Sequence, residues 1–271
     1  MLVDSHCHLD TTASKREIES LLQRAEEAGV GLIQTVCTKI SEFNKIYQIA
    51  KTYENVFCSV GNHPLDLDTE GIIKDQQIIE ISKRSKVSAI GETGLDYFYC
   101  KSEWRKQQES FIQHIRAAQY TSLPIIIHTR NAEKDTIEIL KKYQKLKSFS
   151  GVIHSFAGSD CFAQECLDMG LYLSASGIVT FKNARNIQKI FKGVPIERIL
   201  IETDSPYLTP MPLRGKKNEP SYLKHTASFL ATLKNITIDH LIDITTQNFF
   251  SLFRKTKVEK NKNANNFSGV R

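Results

Sequence analysis

Short apolar runs alternate with longer segments of helical periodicity along most of the chain, which is the sequence pattern of repeated β-α units. The apolar runs begin near Leu2, Leu32, Val56, Ser88, Pro124, Val152, Leu171 and Arg198, and polar or glycine-containing turns lead from each into a helical stretch. The first helix is the most clearly bounded. Ser14 and Glu17 form an S-x-x-E capping box, Ile18, Leu21, Leu22 and Ala25 supply the apolar stripe, and Gly29 ends it. Runs as continuously apolar as residues 124–127 predict strands covered on both faces, as parallel sheets with crossover helices require. Eight such units in about 250 residues predict an α/β fold, a closed (β/α)8 TIM barrel. An open doubly wound sheet is the alternative, but neither G-x-G-x-x-G nor G-x-x-x-x-G-K-[ST] occurs. Two further helical patterns, Ser221 to Leu233 and Asp239 to Phe253, complete a single domain over residues 1–253.

Composition adds three constraints. The 271 residues are 41% hydrophobic, enough for a sizeable core. The net charge of +6 points less to nucleic acid than it first suggests. Residues 254–271 carry six basic groups (Arg254, Lys255, Lys257, Lys260, Lys262, Arg271) against Glu259, so residues 1–253 hold 30 basic against 29 acidic groups. The expectation is a disordered basic tail from Arg254 onward, too poor in apolar surface to offset the cost of ordering. The six cysteines (Cys7, Cys37, Cys58, Cys100, Cys161, Cys166) contain no C-x-x-C, which fits a reducing compartment. Neither a leader pattern nor an apolar stretch of roughly 18 residues is present, so the expected location is cytoplasmic, without a membrane partner.

The chemistry sits at the ends of the apolar runs. Met1 to His8 delivers His6 and His8 at i, i+2, on one face of a strand. Glu92 follows Ser88-Ala89-Ile90-Gly91, His128 follows Pro124-Ile125-Ile126-Ile127, His154 follows Gly151-Val152-Ile153, and Asp204 follows Ile199-Leu200-Ile201-Glu202-Thr203. A barrel brings all of these strand ends to one face. Four imidazoles and two carboxylates exceed what one tetrahedral ion uses, so two divalent ions are the natural inference. Glu92 is the candidate bridge between them. Asp204 is the candidate proton acceptor from water and donor to the leaving group, which makes Asp204 and Glu92 the expected catalytic pair. A carboxylate directly after Ala89-Ile90-Gly91 would be costly without a cation partner.

The segments Asp4-Ser5-His6-Cys7-His8-Leu9-Asp10, Gly91-Glu92-Thr93-Gly94-Leu95-Asp96-Tyr97, Ile127-His128-Thr129-Arg130, Ile153-His154-Ser155-Phe156, residues 176–184 and Glu202-Thr203-Asp204-Ser205-Pro206-Tyr207-Leu208 resemble the TatD family of metal-dependent deoxyribonucleases, within the amidohydrolase-like barrels. The matches span nearly all of residues 1–253. The resemblance implies that His6, His8 and Asp204 hold one ion, that His128 and His154 hold the second, and that Glu92 contacts both. It implies hydrolysis of DNA phosphodiesters, often from a 3′ end of single strands. A monomer is expected, with Mg2+, Mn2+ or Zn2+ as the ions, since mixed imidazole and carboxylate sites accept several. The chain departs from the family pattern at Ser155, Ala157 and Lys217, the last standing where arginine is usual. Lysine cannot form a bidentate fork on phosphate.

Expected substrate contacts are His63, Arg130, Arg214 and Lys217, with Tyr97, Phe98 and Tyr99 as a platform for unpaired bases. His114 lies in a helical segment and is read as structural, whereas His225 sits in a family-like stretch, residues 220–225, that a helix surface explains equally well. Two other functions share the same residues. One is a metal-dependent deacylase or amidohydrolase acting on an ester or amide such as aminoacyl-tRNA. The other is a non-catalytic nucleic-acid-binding protein braced by structural metals.

Overall fold

The computed structural model describes residues 1–11, 14–99 and 103–257. Eight strands, β1 (Leu2–Cys7), β2 (Val30–Thr35), β3 (Val56–Val60), β4 (Val87–Asp96), β5 (Ile125–Arg130), β6 (Gly151–Ile153), β7 (Tyr172–Ala175) and β8 (Ile199–Ile201), form one sheet in sequential order. Every neighbouring pair from β1–β2 to β7–β8 is parallel, and the sheet curls into a nearly closed TIM barrel. The helices α1 (Lys15–Glu27), α2 (Phe43–Thr52), α3 (Leu67–Glu70), α4 (Asp75–Ser82), α5 (Trp104–Thr121), α6 (Glu133–Leu146), α7 (Asp160–Asp168), α8 (Arg185–Gly193), α9 (Leu223–Lys234) and α10 (Ile238–Leu252) run between and after the strands. Among the described residues, no helix is long and apolar enough to cross a membrane.

Of the expected α1 signals, the serine cap, the buried stripe of Ile18, Leu22 and Ala25 and the terminal glycine are present, with Leu21 half-buried. The Ser14 hydroxyl accepts the Glu17 N–H, and Gly29 follows the helix at φ +86°, a left-handed value that glycine reaches without cost. Two apolar layers hold the barrel. The larger packs the helices onto the outside of the sheet. The smaller takes one side chain from each strand, Val3, Leu32, Phe57, Ala89, Ile126, Val152, Tyr172 and Leu200, so it fills the barrel interior. Phe249, Leu252 and Phe253 at the end of α10 join that interior layer.

Between β1 and β8 the barrel is closed by individual hydrogen bonds in place of a ladder. The Ser5 hydroxyl donates to the Ile201 carbonyl at 3.0 Å, the Asp204 N–H to His6 O at 2.9 Å, and the His8 N–H to Ser205 O at 2.8 Å. The Thr203 N–H and hydroxyl both donate to the buried Asp4 carboxylate, at 2.9 and 2.6 Å. Burial nevertheless pushes the Asp4 carboxyl up to about 7.

The tail expectation needs a correction at its boundary. Residues Arg254–Lys257 form a 3-10 turn, and the Lys255 ammonium donates to the carbonyls of Ser82 (2.9 Å) and Arg84 (2.8 Å) while Thr256 is buried. Composition hid this because the lysine is used as a hydrogen-bond anchor for the end of α4. Residues 258–271, the rest of the expected tail, lie outside the described residues.

Strand β4 reaches its full length because Gly94 lets it lie against β5. At φ +141° an added Cβ would stand 2.0 Å from the His128 carbonyl oxygen, its register partner across the pair. Gly94→Ala is therefore expected to cost at least about 1 kcal/mol of stability. Chemical denaturation of the two proteins measures this; an unchanged midpoint and slope would contradict the close approach.

Candidate metal centre

Each strand end delivers its donor for a local reason. His6 lies in β1 and His8 one residue beyond it, where the seam hydrogen bonds to His6 O and from His8 N fix both backbones. Glu92 lies within β4, His128 within β5 beside Gly94, His154 one residue past β6 and Asp204 past β8. Strands β6 and β8 are only three residues long because the chain turns at the donors. Ser155 (φ +44°) and Asp204 (φ +56°) sit in the left-handed region, a conformation that persists for such residues only where the surroundings enforce it.

Glu92 stands at the middle. One carboxylate oxygen, Oε1, is 2.8 Å from His154 Nε2, 3.3 Å from His128 Nδ1 and 3.5 Å from His63 Nε2. The other, Oε2, is 3.3 Å from His6 Nε2. Asp204 Oδ1 lies 3.2 Å from His8 Nε2 and 3.6 Å from His6 Nε2. The rings of His6 and His154 stack with centroids 4.0 Å apart. All six sequence-predicted ligands thus converge on one cluster.

The electrostatics are those of mutually dependent charges. Burial raises the Glu92 carboxyl, but His154, His6 and the His128 hydrogen bond outweigh it and hold the group well below the usual carboxylate range. Asp204 is likewise held low against its burial by His8, His6 and His154. In the same way the neighbouring carboxylates overcome burial to raise His8 and His128, and Glu92 with Glu202 raises His154 well above the ordinary value. His63 is pushed the other way, down to about 3 by burial, and stays neutral.

This donor set fits divalent cations. Both His6 ring nitrogens and His154 Nδ1 are buried without a hydrogen-bond partner, an expensive arrangement for a histidine that only packs. Three ligand-atom groupings, His6–His8–Glu92, His63–Glu92–His128 and His6–His154–Glu202, each have their atoms within 4.8 Å of one another. Mixed imidazole and carboxylate donors suit several first-row and hard divalent ions.

The remaining predicted residues divide. His63 joins the cluster, and its Nδ1 accepts the Leu65 N–H, leaving Nε2 toward Glu92. Arg130 borders the cleft of about 810 Å³ that opens on the centre beside Tyr99, His128, His154, Asp204 and Tyr207. Its guanidinium lies against the exposed rings of Phe98 (4.2 Å) and Tyr99 (4.5 Å). Tyr97 does not belong to this platform. Its ring stacks on Trp104 at 4.4 Å and its hydroxyl donates to Asp135 at 2.8 Å, so it is engaged by α5 and α6. Lys217 lines a separate cleft of about 390 Å³ next to His8, with Arg16 and Arg24. Arg214 covers the Phe181 ring at 3.8 Å. His114 is structural: buried in α5, it accepts the Asn62 N–H at 3.1 Å through Nε2 and pairs with the Ser110 carbonyl at 2.8 Å.

Two carboxylates escaped the sequence reading as site residues. Asp96 Oδ2 is 3.0 Å from His128 Nε2, and Glu202 Oε1 is 3.4 Å from His154 Nδ1 while accepting the Ser155 N–H at 2.6 Å. Both stand inside the quoted motifs, four residues after Glu92 and two before Asp204, and an acidic residue so placed at a strand end was the available signal.

Comparison with known proteins gives the family and the fold. The family model described as TatD related DNase matches residues 3–254. The uncharacterized metal-dependent hydrolase BU355 of Buchnera aphidicola is 43% identical over 93% of this chain and 98% of its own. The uncharacterized metal-dependent hydrolase YcfH of Escherichia coli K12 is 38% identical over 93% and 95%. The crystal structure of YjjV, a TatD homolog from Escherichia coli K12, superposes with a TM-score of 0.87 at 27% identity, covering 93% of this chain and 98% of that one. With close relatives named as metal-dependent hydrolases and a family match from end to end of the barrel, this chain belongs to the TatD family of metal-dependent hydrolases.

Proposed function

We propose that the protein is a deoxyribonuclease that removes nucleotides from the 3′ end of single-stranded DNA, acting as a cytoplasmic monomer with two divalent ions. In this reading His6, His8 and Asp204 hold one ion, His128 and His154 the other, and Glu92 reaches both, as its division between His6 on one oxygen and His128 and His154 on the other supports. Ions bound there supply polarisation of the phosphoryl oxygens and a lowered proton affinity of water.

The chain's own groups do the rest. Asp204 is held ionised, so it accepts a proton from the attacking water and returns it to the leaving 3′ oxygen. His63, kept neutral by burial, presents Nε2–H at the same pocket and can donate to a phosphoryl oxygen. Arg130 beside His128 offers a fixed cation to the neighbouring phosphate. Tyr99 and Tyr207, both exposed on the rim of the cleft, offer faces for unstacked bases. The observation that favours a phosphodiester over an ester or amide is this rim: an arginine packed onto a pair of exposed aromatic rings, two residues from a ligand histidine. The five described cysteines are free, in keeping with a reducing compartment.

Chelated protein is expected to lose hydrolysis of a single-stranded oligonucleotide and to regain it on addition of Mg2+, Mn2+ or Zn2+. Parallel assays on an aminoacyl ester and a cyclic amide decide the bond. Turnover of either of those, with the oligonucleotide untouched, would replace the nuclease reading by a deacylase or amidohydrolase. Tight oligonucleotide binding without any turnover would leave a non-catalytic binder.

A further inference from the structure

We propose that Asp96 is a positioning residue that selects which ring nitrogen of His128 faces the metal centre, and that ties this choice to the aromatic rim. The inference rests on the two-ion reading for its binding consequence, but its geometric basis is independent of it.

Asp96 ends β4 and is 1% exposed. Its backbone is locked on both sides by a single buried side chain of α5: the Asp96 N–H donates to Gln107 Oε1 at 2.8 Å, and Gln107 Nε2 donates to the Asp96 carbonyl at 3.0 Å. With the backbone fixed, the two carboxylate oxygens have separate duties. Oδ1 accepts the N–H groups of Phe98 and Tyr99, each at 3.0 Å, and so shapes the turn whose rings carry Arg130. Oδ2 lies 3.0 Å from His128 Nε2.

An ionised carboxylate only accepts hydrogen bonds. His128 Nε2 must therefore carry the hydrogen, and in the neutral ring the lone pair is on Nδ1. That atom is the one aimed at the cluster, 3.3 Å from Glu92 Oε1 and 3.3 Å from His154 Nε2. A purely structural account covers Oδ1, since an asparagine there would cap the same turn. It leaves Oδ2 unexplained, because His128 is its hydrogen-bond partner. His154 offers the contrast: its Nδ1 stands 3.4 Å from Glu202 without forming a hydrogen bond, so its orientation is less firmly imposed.

Asp96→Asn isolates the Oδ2 contact, because the amide oxygen retains the turn while the amide NH2 faces Nε2 and opposes its hydrogen. The first measurement uses chelated protein with 15N-labelled histidine at alkaline pH, where the rings are neutral, with His128 assigned by its absence in His128→Gln. Wild type is expected to show the Nε2–H tautomer at His128, and Asp96→Asn to lose it. The second measurement is a Mn2+ binding isotherm. Asp96→Asn is expected to weaken one of the two binding steps by about 10- to 100-fold, as loss of a carboxylate behind a ligating histidine does, with the other step and the unfolding temperature preserved. An Nδ1–H tautomer in wild type, which would make Asp96 itself the group facing an ion, overturns the inference; so does an isotherm that superposes on wild type. If wild type takes up fewer than two ions, the two-ion reading fails, while the tautomer still decides the role of Asp96. The wild-type spectrum decides it even if the variant does not fold.

Discussion

Glu92→Gln is expected to lower hydrolysis of a single-stranded oligonucleotide by at least about a thousandfold, in the upper part of what removal of a proton-transfer or charge-stabilising group costs. The carboxylate is 2% exposed and divides its oxygens between His6 on one side and His154, His128 and His63 on the other. An amide of the same shape places an NH2 against some of these rings and removes the one anion common to all of them. The loss is expected to be chemical and not structural. Gln fills the same volume, and the surrounding imidazoles can shed protons, so no stranded charge is left behind as it would be with an arginine partner. The measurement is kcat together with ion stoichiometry and melting temperature. Near wild-type turnover with both ions bound would remove Glu92 from the centre, and a collapse of the melting temperature would show that the loss came from misfolding.

The second large effect is a steep pH dependence of ion loading. His8, His128 and His154 are all raised from the ordinary imidazole value by neighbouring carboxylates, so they keep their protons to higher pH than a free imidazole does, and a ligating ring must give such a proton up. Each such proton makes the overall loading constant fall by up to about tenfold per pH unit on acidification, so three together make it fall by up to about a thousandfold per unit. Stability of the chelated protein runs the opposite way. A histidine whose folded pKa is raised contributes stability that is fully present below its unfolded pKa of about 6.5 and is lost as pH rises through the folded value. Chelated protein is thus expected to melt at lower temperature as pH rises from about 6.5, and loaded protein to resist this. Calorimetric titration in buffers of different ionisation heat reads the released protons directly. Loading without proton release near neutrality would contradict the charge pairing of His8 with Asp204 and of His154 with Glu92.

What the sequence reveals and what it hides follow from distance along the chain. Strand periodicity and the eightfold repeat are local, and they suffice for the barrel and for placing His6, His8, Glu92, His128, His154 and Asp204 at its mouth. His63, expected as a substrate contact, also stands at a strand end and reaches Glu92. Relations between strands are less legible. Asp96 and Glu202 lie within recognisable motifs, yet their partners His128 and His154 are 32 and 48 positions away, and no periodicity announces such a pair. Tyr97 stands next to Phe98 and Tyr99 in sequence, but the strand carries it toward Trp104 and Asp135 while its neighbours follow the turn over Arg130. The basic residues after β8 part in the same way, Lys217 toward the cleft beside His8 and Arg214 onto Phe181. Charge alone does not tell a ligand contact from a cation resting on an aromatic face.

The seam between β1 and β8 gives the protein a clasp made from its two most distant strands. His6 and His8 wait at the start of the chain for Asp204, and the hydrogen bonds that shut the barrel run through these same residues. During vectorial synthesis, in which early segments emerge and fold first, a nascent polypeptide has no complete centre until residues beyond 204 have left the ribosome. Prematurely terminated products that stop short of β8 are born without the pocket, so the catalytic machinery exists only in chains whose barrel can also close.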